Sequence, residues 1–571
     1  MVVILARLFA EASLAEIDKV VYLTQGRVAP LYEPIEFGMA EKTIIKSAAF
    51  ALGVSTDNLI GFYKKSGDLG EAIQKSKIKN QKYNSKIKIN EVFKKLTSIT
   101  DISGEGTVEK KGEILGGLLK ELDPLSARYA VRIVLDKLRL GFSDMTVLEG
   151  LSWMIDGTKK HKDQIEAAYN VRPDLGFIAQ EFKKFKRLKV QPKIGTPILG
   201  MRAERLTDPV EILEKAGPTS SAQGGLRGVK KMAIEPKLDG LRTQLHFSRS
   251  HLANQGETFL RLYSRGMEDV TKMYPDIVTA AENELSGVEE VILDGEAIGY
   301  DQKTGRYLAF QETVQRKRKY DVEAFSKNVP VKLVVFDVLF LNGKSFINEP
   351  YLERRKILEQ MLKQVQHDSI VVPARMTIAD RPEQIEKIFR GEVKNGLEGI
   401  MAKKLDGVYQ AGARGWNWIK YKKSYETKLA DTIDAVVMGL DFGQGKRNKF
   451  GVGAFLIGIY DDKTDTYKTV SKVGTGLTDD EWKQLAVSSK RLVTKEKPKN
   501  YNVNKIMDCD VWLTPKIVGE FRADELTKSP MHTAGYALRF PRLEKWREKK
   551  PEDTTTLQEI LEMVKLVEER R

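Results

Sequence analysis

The hydrophobic pattern changes from a helical period to a strand period along this 571-residue chain, and the change divides it into separate structural regions. Residues 1–190 carry apolar side chains at helical spacing, with Gly and Ser-Gly breaks that are typical of helix–helix connections. One predicted helix covers residues 131–142, where the apolar stripe consists of Val131, Val134, Leu135 and Leu138. We therefore predict an all-α domain over residues 1–195.

The segment QPKIGTP (191–197) is a predicted linker, and the sequence after it is rich in strands. The candidate strands are residues 231–236, 241–247, 291–299, 331–341 and 398–404. Residues 331–341 are apolar almost throughout, as in a strand buried on both faces, and Asn342-Gly343 predicts a tight turn after it. With a helix predicted over 351–365, residues 196–427 form a predicted α+β domain.

Short strands separated by Gly and Asp turns continue from about residue 428 and predict a small β-barrel. An amphipathic helix is predicted at 554–571, which gives a third domain over residues 428–571. Three domains agree with the length of the chain, because a globular domain contains roughly 150 residues.

The net charge indicates the kind of partner that the chain binds. Lys and Arg number 94 against 79 Asp and Glu, a balance of +15 that favours a polyanion, either nucleic acid or an anionic membrane surface. No apolar stretch reaches the ~18–20 residues of a membrane span, and Arg7 favours an amphipathic first helix over a signal peptide. The single cysteine, Cys509, excludes an intrachain disulfide and a four-cysteine zinc site.

The string Lys-x-Asp-Gly occurs twice, at Lys237 and at Lys404, and it is a weak signal by itself. A lysine acts as a nucleophile only when it is deprotonated, so a catalytic lysine needs burial or neighbouring cations. Lys237 has Glu235 on the same side of a predicted strand and Arg242 five residues later, whereas Lys404 has Ala402 and Tyr409. This context favours Lys237 over Lys404 as the catalytic lysine. A strand-turn with a solvated lysine is the alternative interpretation of either copy.

EPKLDGLR at 235–242 resembles motif I of the covalent nucleotidyltransferases, whose lysine forms a lysyl-nucleotide. The other motifs of that family follow in order as YSRGMEDVT (263–271), VILDGEAIGYD (291–301), VVFDVLFLNG (334–343), GLEGIMAKK (396–404), WIKYKK (418–423) and LRFPRLEKWREKKPEDTTT (538–556). Seven ordered matches over about 320 residues make a chance origin untenable.

The flanking segments resemble the ATP-dependent DNA ligases of the archaeal and eukaryotic replicative type. Their helical DNA-binding domain and linker are similar to 60–72, 125–144 and 196–206 here, and their OB domain is similar to 445–461 and 471–482. The resemblance implies an all-α DNA-binding domain, an α+β adenylation domain and an OB-fold β-barrel. It covers nearly the whole chain.

The resemblance also implies a reaction. Lys237 would attack the α-phosphate of ATP and release pyrophosphate, and AMP would then pass to the 5′-phosphate of a nick in duplex DNA. The adjacent 3′-OH would displace AMP and seal the strand, in replication, repair and recombination. ATP and Mg²⁺, or Mn²⁺ in its place, are the implied cofactors, because such transfers rest on positioning and charge stabilisation.

Residue roles follow from the same resemblance. Glu235 would read the adenine edge and Phe336 would stack on the base, while Glu296 would contact ribose or metal and Glu398 would bind metal. The remaining implied contacts to ribose, phosphate or nucleotide are Arg242, Arg265, Arg414, Lys420 and Lys422.

The last motif implies contacts to the pyrophosphate of ATP through Arg539, Arg542, Lys545 and Arg547. Here the sequence departs from the family, whose tail reads Arg, one residue and Asp-Lys before Pro-Glu-Asp. WREKKPED is one residue shorter and lacks that aspartate, which leaves open whether Lys549 or Lys550 takes the place of the lysine. If neither does, the first step slows while sealing of pre-adenylated nicks survives.

The basic stretch 75–95 contains eight lysines and one acid, and a second basic run lies at 182–190. Solvated helix faces explain most such runs, but two together favour a DNA-contacting face. The predicted DNA contacts are Lys75, Lys77, Lys79 and Lys82. We expect a monomer that acts on nicked duplex DNA, with a sliding clamp as a further partner and no membrane contact. The expected location is the cytoplasm, in association with the nucleoid, or the nucleus of a eukaryotic cell.

Alternatives remain at this point. An RNA ligase or a capping guanylyltransferase shares the motifs, but the helical segment 1–190 argues against both, and Glu235 argues against capping. An NAD-dependent ligase is disfavoured by the single cysteine, because that family carries a four-cysteine zinc module. A non-catalytic nucleic-acid clamp would have no use for an intact Lys237 and Glu398.

Overall fold

The computed structural model describes residues 1–80, 87–138, 140–216, 230–249, 258–308, 310–314, 329–363, 369–423, 432–443 and 451–569. The chain divides into two compact units, Met1–Lys420 and Tyr421–Arg571. The first unit contains both the helical and the mixed segment. The boundaries between three domains at 195 and 427 therefore stay predictions.

The first part of the chain is helical, as its apolar spacing predicts. Its helices α1–α11 are Val2–Glu11, Ile17–Thr24, Glu41–Leu52, Thr56–Ser66, Leu69–Asn80, Ile89–Asp101, Thr107–Glu121, Pro124–Val134, Asp144–Asp156, Lys162–Val171 and Leu175–Phe185. One apolar cluster joins α3 to α8 around residues such as Leu59 and Leu115. Another joins α1, α2 and α9 to α11 around Phe9 and Phe182.

The helix predicted over 131–142 is shorter than expected. Helix α8 ends at Val134, because Asp136 takes a left-handed conformation with φ of 54°. The amide of Lys137 then donates to the carbonyl of Arg132 at 2.8 Å, which closes the helix end. Leu138 of the predicted stripe therefore lies beyond the helix.

Two sheets build the mixed segment. Strands β1–β11 are Arg202–Arg205, Met232–Lys237, Leu241–Ser248, Phe259–Ser264, Glu290–Gly299, Val331–Leu341, Lys344–Ser345, Val371–Pro373, Thr377–Ala379, Gly399–Lys404 and Arg414–Lys422. One sheet has the order β1-β11-β10-β2-β9, and the other has the order β4-β3-β5-β6-β7 with β8 beside β6. Helices α12–α16 are Pro209–Glu214, Pro275–Glu284, Phe310–Thr313, Tyr351–Met361 and Pro382–Lys394.

The strand predictions for this segment are confirmed to within about a residue at each end. Asn342 and Gly343 both have positive φ, 46° and 80°, and they form the predicted tight turn between β6 and β7. The apolar run at 331–341 is β6, a central strand that pairs with β5 on one side and β7 and β8 on the other. Both of its faces are largely buried, which explains the missing alternation.

The second unit is rich in strands and ends in a helix. Strands β12–β21 are Ile433–Phe442, Val452–Asp461, Thr466–Val473, Val493–Thr494, Tyr501–Asn502, Val511–Leu513, Val518–Arg522, Glu525–Lys528, Tyr536–Arg539 and Arg542–Arg547. Eight of them form one sheet built on β12 to β14, and β19 and β20 form a hairpin. Helices α17 and α18 are Asp479–Ser489 and Leu557–Glu569, and an apolar cluster with Phe455 and Trp482 fills the interior.

Candidate active site

Lys237 lies where the chain passes from one sheet of the mixed segment to the other. It is the last residue of β2, and β3 of the second sheet begins at Leu241. A side chain at Gly240, in the connecting turn, would place its Cβ 2.5 Å from the carbonyl oxygen of Ala297. The turn that follows Lys237 therefore packs against β5 without space for even a methyl group.

A carboxylate faces this lysine from the neighbouring strand. The Nζ atom of Lys237 lies 2.6 Å from Oε2 of Glu398, and both side chains are about one-fifth exposed (21% and 17%). Gly399, the first residue of β10, is the register partner of Lys237, which places Glu398 beside it. Both residues are thus half-shielded but reachable by a small polar ligand.

Glu296 supplies a second carboxylate from β5. Its register partner on β3 is Arg242, and the charges of Lys237 and Arg242 act on it. Burial raises the pKa of Glu296 from 4.5 to about 7, although these cations and the amide of Gly240 oppose the shift. A ligand that brings positive charge, such as a metal ion, would favour its ionised form.

Arg242 is engaged in a buried ion pair. Its guanidinium lies 2.6 Å from Asp294 and donates to the carbonyl of Met201 and the hydroxyl of Tyr409. Burial opposes the charge of Arg242, but Asp294 outweighs it and raises the pKa of the arginine. These bonds hold the guanidinium 5.5 Å from the ring centre of Phe336, so it lies beside the predicted base-stacking residue.

The residues predicted to contact base and phosphate occupy several elements. Glu235 on β2 is buried, and Phe336 on β6 is half-buried with an edge-to-face contact to Trp418. Lys420 and Lys422 lie on alternate positions of β11 and are half-buried, so they point to one side of the strand. The exposed arginines are Arg265, after β4, and Arg414, at the start of β11.

Comparisons with known proteins agree along the whole chain. The family described as "DNA ligase N terminus" matches residues 1–152, "ATP dependent DNA ligase domain" matches 201–422, and "ATP dependent DNA ligase C terminal region" matches 448–550. The "Probable DNA ligase" of Dictyoglomus turgidum is 42% identical over 577 residues, covering 99% of this chain and 94% of that protein. The chain belongs to the ATP-dependent DNA ligase family.

Further comparisons agree with this membership. The DNA ligase of Hyperthermus butylicus is 37% identical to this ligase over 600 residues, covering 99% of this chain and 94% of that protein. The solved structure "Pmar-Lig_PreS3" shares the fold, with a TM-score of 0.51 at 16% identity, covering 96% of this chain and 100% of that one. The predicted fold class is confirmed: a helical N-terminal domain, a nucleotidyltransferase domain and a β-rich C-terminal domain.

The last motif of the ligase lies in its second unit, on and beside β20 and β21. Arg539 is exposed at the end of β20. The three other predicted pyrophosphate contacts form ion pairs within the unit: Arg542 with Asp524, Lys545 with Glu520, and Arg547 with Glu520 and Asp434. Lys549 pairs with Asp434 at 3.0 Å. Each of these cations would have to exchange a carboxylate for phosphate in order to act on ATP.

One of the predicted DNA contacts of the ligase is wrong. Lys77 is 0% exposed, and its Nζ atom donates to the carbonyls of Leu119 and Lys120 at 2.5 and 3.1 Å, at the end of helix α7. Lys75 is exposed and pairs with Glu71 one turn away. The Lys79 side chain and all of Lys82 lie outside the described residues.

The second basic run also has a structural use. Lys183, on helix α11, donates to the carbonyls of Phe9 and Ala10 at 2.7 and 3.0 Å, and so satisfies the end of helix α1. Lys184 and Lys186 are exposed and remain available to a phosphate backbone. Sequence reasoning could not distinguish capping lysines from surface lysines, because the acceptor carbonyls belong to distant helices.

Sequence reasoning also missed several partners of the predicted site residues. Asp294 and Tyr409 hold Arg242, while Lys403 and Tyr351 hold Glu235. Asp294 lies within the motif that carries Glu296, and Lys403 lies within the motif that carries Glu398. Their presence in those motifs indicates that Asp294 and Lys403 lie near the site. Which residue each of them pairs with depends on strand register and could not be predicted.

Within the described residues, no group of three or more His, Cys, Asp or Glu side chains could hold a metal ion alone. Likewise, no described helix of the ligase has both the length and the apolar character to cross a membrane.

Proposed function

We propose that Lys237 is the residue through which this ATP-dependent DNA ligase carries AMP. The ligase seals nicks in DNA with ATP. The observation that supports Lys237 is its position at the turn between the two sheets, 2.6 Å from Glu398 and within the field of Glu296. The second Lys-x-Asp-Gly lysine, Lys404, has no such carboxylate pairing among the described contacts.

The reaction then proceeds in three transfers. The Nζ atom of Lys237, after losing a proton, attacks the α-phosphorus of ATP, so that a P–N bond forms and the P–O bond to pyrophosphate breaks. An oxygen of the nick 5′-phosphate attacks the same phosphorus and frees the lysine. The 3′-OH then attacks the 5′-phosphate, AMP leaves and the strand is continuous. Positioning and charge stabilisation govern each transfer.

The carboxylates beside Lys237 fit a magnesium ion. Mg²⁺ binds proteins through one or two carboxylates and fills its other positions with water and substrate phosphate. Glu398 is partly exposed, and burial holds back the ionisation of Glu296, so both would gain from a nearby divalent cation. We propose that these two residues hold Mg²⁺, or Mn²⁺ in its place, which would neutralise phosphate charge.

The nucleotide contacts form around this centre. We propose that Glu235 accepts from the amino group of adenine and that Phe336 stacks on the base. The proposed ribose and phosphate contacts are Arg242, Arg265, Arg414, Lys420 and Lys422. The buried pairing of Arg242 with Asp294 also supports a structural role for this arginine, because it joins β3 to β5.

The motif of the second unit acts in the first transfer. We propose that Arg539, Arg542, Lys545 and Arg547 meet the pyrophosphate of ATP. The pairing of Lys549 with Asp434 argues that Lys550 is the freer of the two candidates for the missing tail lysine. If neither lysine takes that place, we expect a slow first transfer relative to sealing of a pre-adenylated nick.

The DNA partner follows from the family, and the finer statements about partners are proposals. We propose that the ligase acts as a monomer on nicked duplex DNA and that exposed lysines such as Lys75 and Lys184 contact its backbone. Recruitment by a sliding clamp and a location with the chromosomal DNA, in nucleoid or nucleus, belong to the same proposal.

Labelling of the chain tests the central claim. The protein is incubated with radiolabelled ATP, GTP, ADP or NAD and Mg²⁺, and acid-labile label on the chain is measured. We expect label from ATP, and none on Lys237→Ala, which should still bind nicked DNA. Lys404→Ala is the matched control and should label normally. Label from GTP alone would favour capping chemistry, and label on Lys237→Ala would exclude this lysine.

A further inference from the structure

Lys403 is a fully buried lysine that the reaction does not use directly. It lies on β10, is 1% exposed, and its Nζ atom is 2.8 Å from Oε2 of Glu235. The same ammonium donates to the carbonyl oxygen of Phe336 at 3.0 Å. Lysine is almost never fully buried unless it is paired, so this position needs a reason.

Three aromatic rings surround the ammonium. Its Nζ atom lies 4.5 Å from the ring centre of Trp418, 4.8 Å from Tyr351 and 4.9 Å from Phe336. The faces of aromatic rings attract a cation and replace part of its hydration. Burial lowers the pKa of Lys403, while the carboxylate of Glu235 opposes that change. Rings and carboxylate together keep the cation in place.

The other oxygen of Glu235 is held as well. The hydroxyl of Tyr351 donates to Oε1, and the guanidinium of Arg355 lies 3.8 Å from the same atom. Tyr351 and Arg355 both belong to helix α15, which the buried ion pair between Arg354 and Asp337 attaches to β6. Contacts from strand β10 and helix α15 therefore fix the orientation of Glu235.

We propose that Lys403 is a positioning residue for nucleotide selection, because it holds Glu235 as a fixed carboxylate acceptor for the base. A fixed carboxylate accepts from the exocyclic amine of adenine, whereas the carbonyl of guanine at that position would face it with like polarity. Phe336 lies between Lys403 and the proposed base site, since its ring borders the ammonium and is also the proposed stacking surface for the base. This inference rests on the proposed role of Glu235 in base contact.

Removal of the ammonium should weaken the discrimination. In Lys403→Met the side chain keeps its length and apolar contacts, but Oε2 of Glu235 loses the ammonium that holds it, so the carboxylate is no longer fixed in one orientation. A carboxylate that can turn presents its acceptor oxygens in several directions, so the site distinguishes the amine of adenine from the carbonyl of guanine less sharply. We therefore expect a change in nucleotide preference rather than a uniform loss of activity.

The test measures labelling of the chain by ATP and by GTP in Lys403→Met, Lys403→Arg and the matched control Lys404→Met. We expect Lys403→Met to raise the KM for ATP about tenfold or more with a smaller change in kcat, and to lower the ATP-to-GTP ratio of kcat/KM at least tenfold. Lys403→Arg should restore most of the preference, and Lys404→Met should behave as wild type. An unchanged ratio in folded Lys403→Met overturns the inference.

Tyr351→Phe provides the test of the ATP-to-GTP preference if Lys403→Met does not fold. It removes the hydroxyl that donates to Glu235 and keeps the ring, and we expect a smaller fall in the same ratio. An unchanged ratio in Tyr351→Phe would then overturn the inference. Failure of the proposed function looks different, because wild-type protein would take no label from ATP.

Discussion

Glu296 illustrates at the scale of one residue how burial near Lys237 controls charge. Its pKa rises from 4.5 to about 7 through burial. Between these two values only the unfolded chain ionises the carboxyl, so stability is lost as the pH rises through this window. The loss is complete above the folded pKa and amounts to roughly 3 kcal/mol.

A neutral isostere tests this. In metal-free and nucleotide-free protein, Glu296→Gln should match wild type near pH 5 and exceed its stability near pH 8. Thermal unfolding midpoints of the two proteins at both pH values provide the measurement. A difference between them that does not vary with pH would contradict the raised pKa. Labelling by ATP should fall in the same variant, because the proposed metal ligand is lost.

A second prediction at the scale of one residue concerns the close packing around Gly240. A Cβ there would lie 2.5 Å from the carbonyl oxygen of Ala297 and 2.9 Å from Cγ of Glu296. Gly240→Ala must therefore shift the turn between Lys237 and Glu296, and we expect labelling by ATP to slow at least tenfold in a protein that still folds. Gly287→Ala is the control, since its Cβ meets nothing within 4 Å. Equal labelling rates in the two variants would show that the turn tolerates the shift.

At the scale of elements, the sequence predicts the strands of the mixed segment more accurately than it predicts where helices end. Strands β5 and β6 follow directly from apolar runs between turn residues. Helix α8 does not, because its apolar spacing continues to Leu138 while Asp136 turns the chain at φ 54°. The site residues on motifs were predictable, whereas the pairing of Lys403 with Glu235 depends on the register of β10 against β2.

Lys77 provides a prediction at the same scale, because it caps one helix from another. Lys77→Met removes the donor from the end of α7 and should destabilise the helical domain by about 1 kcal/mol, without changing the salt dependence of nick binding. Lys75→Met should leave stability within about 0.5 kcal/mol and reduce the slope of log K against log salt by about 1. Thermal unfolding and binding titrations separate the two roles. A reduced slope in Lys77→Met would mean that this lysine reaches DNA after all.

At the scale of the whole molecule, the cations behind the net charge of +15 have two different roles. Some cations are engaged internally, as Arg242 with Asp294 and Lys403 with Glu235, and they do not contribute to an external field. Others, such as Lys184 and Lys186, are exposed on the helical segment. The exposed set is the one that can release counterions from a DNA backbone.

Salt should therefore separate DNA binding from labelling by ATP. Each DNA phosphate neutralised contributes about −0.9 to the slope of log K against log salt, so we expect nick affinity to fall steeply between about 50 and 200 mM salt. Labelling by ATP without DNA should fall much less, because Lys237 and its carboxylates are partly shielded from solvent. Binding titrations with a nicked duplex and labelling rates are measured at matched salt concentrations. A flat response of nick affinity would contradict the basic DNA-binding face, while a parallel fall of both quantities would place the salt effect on the nucleotide site.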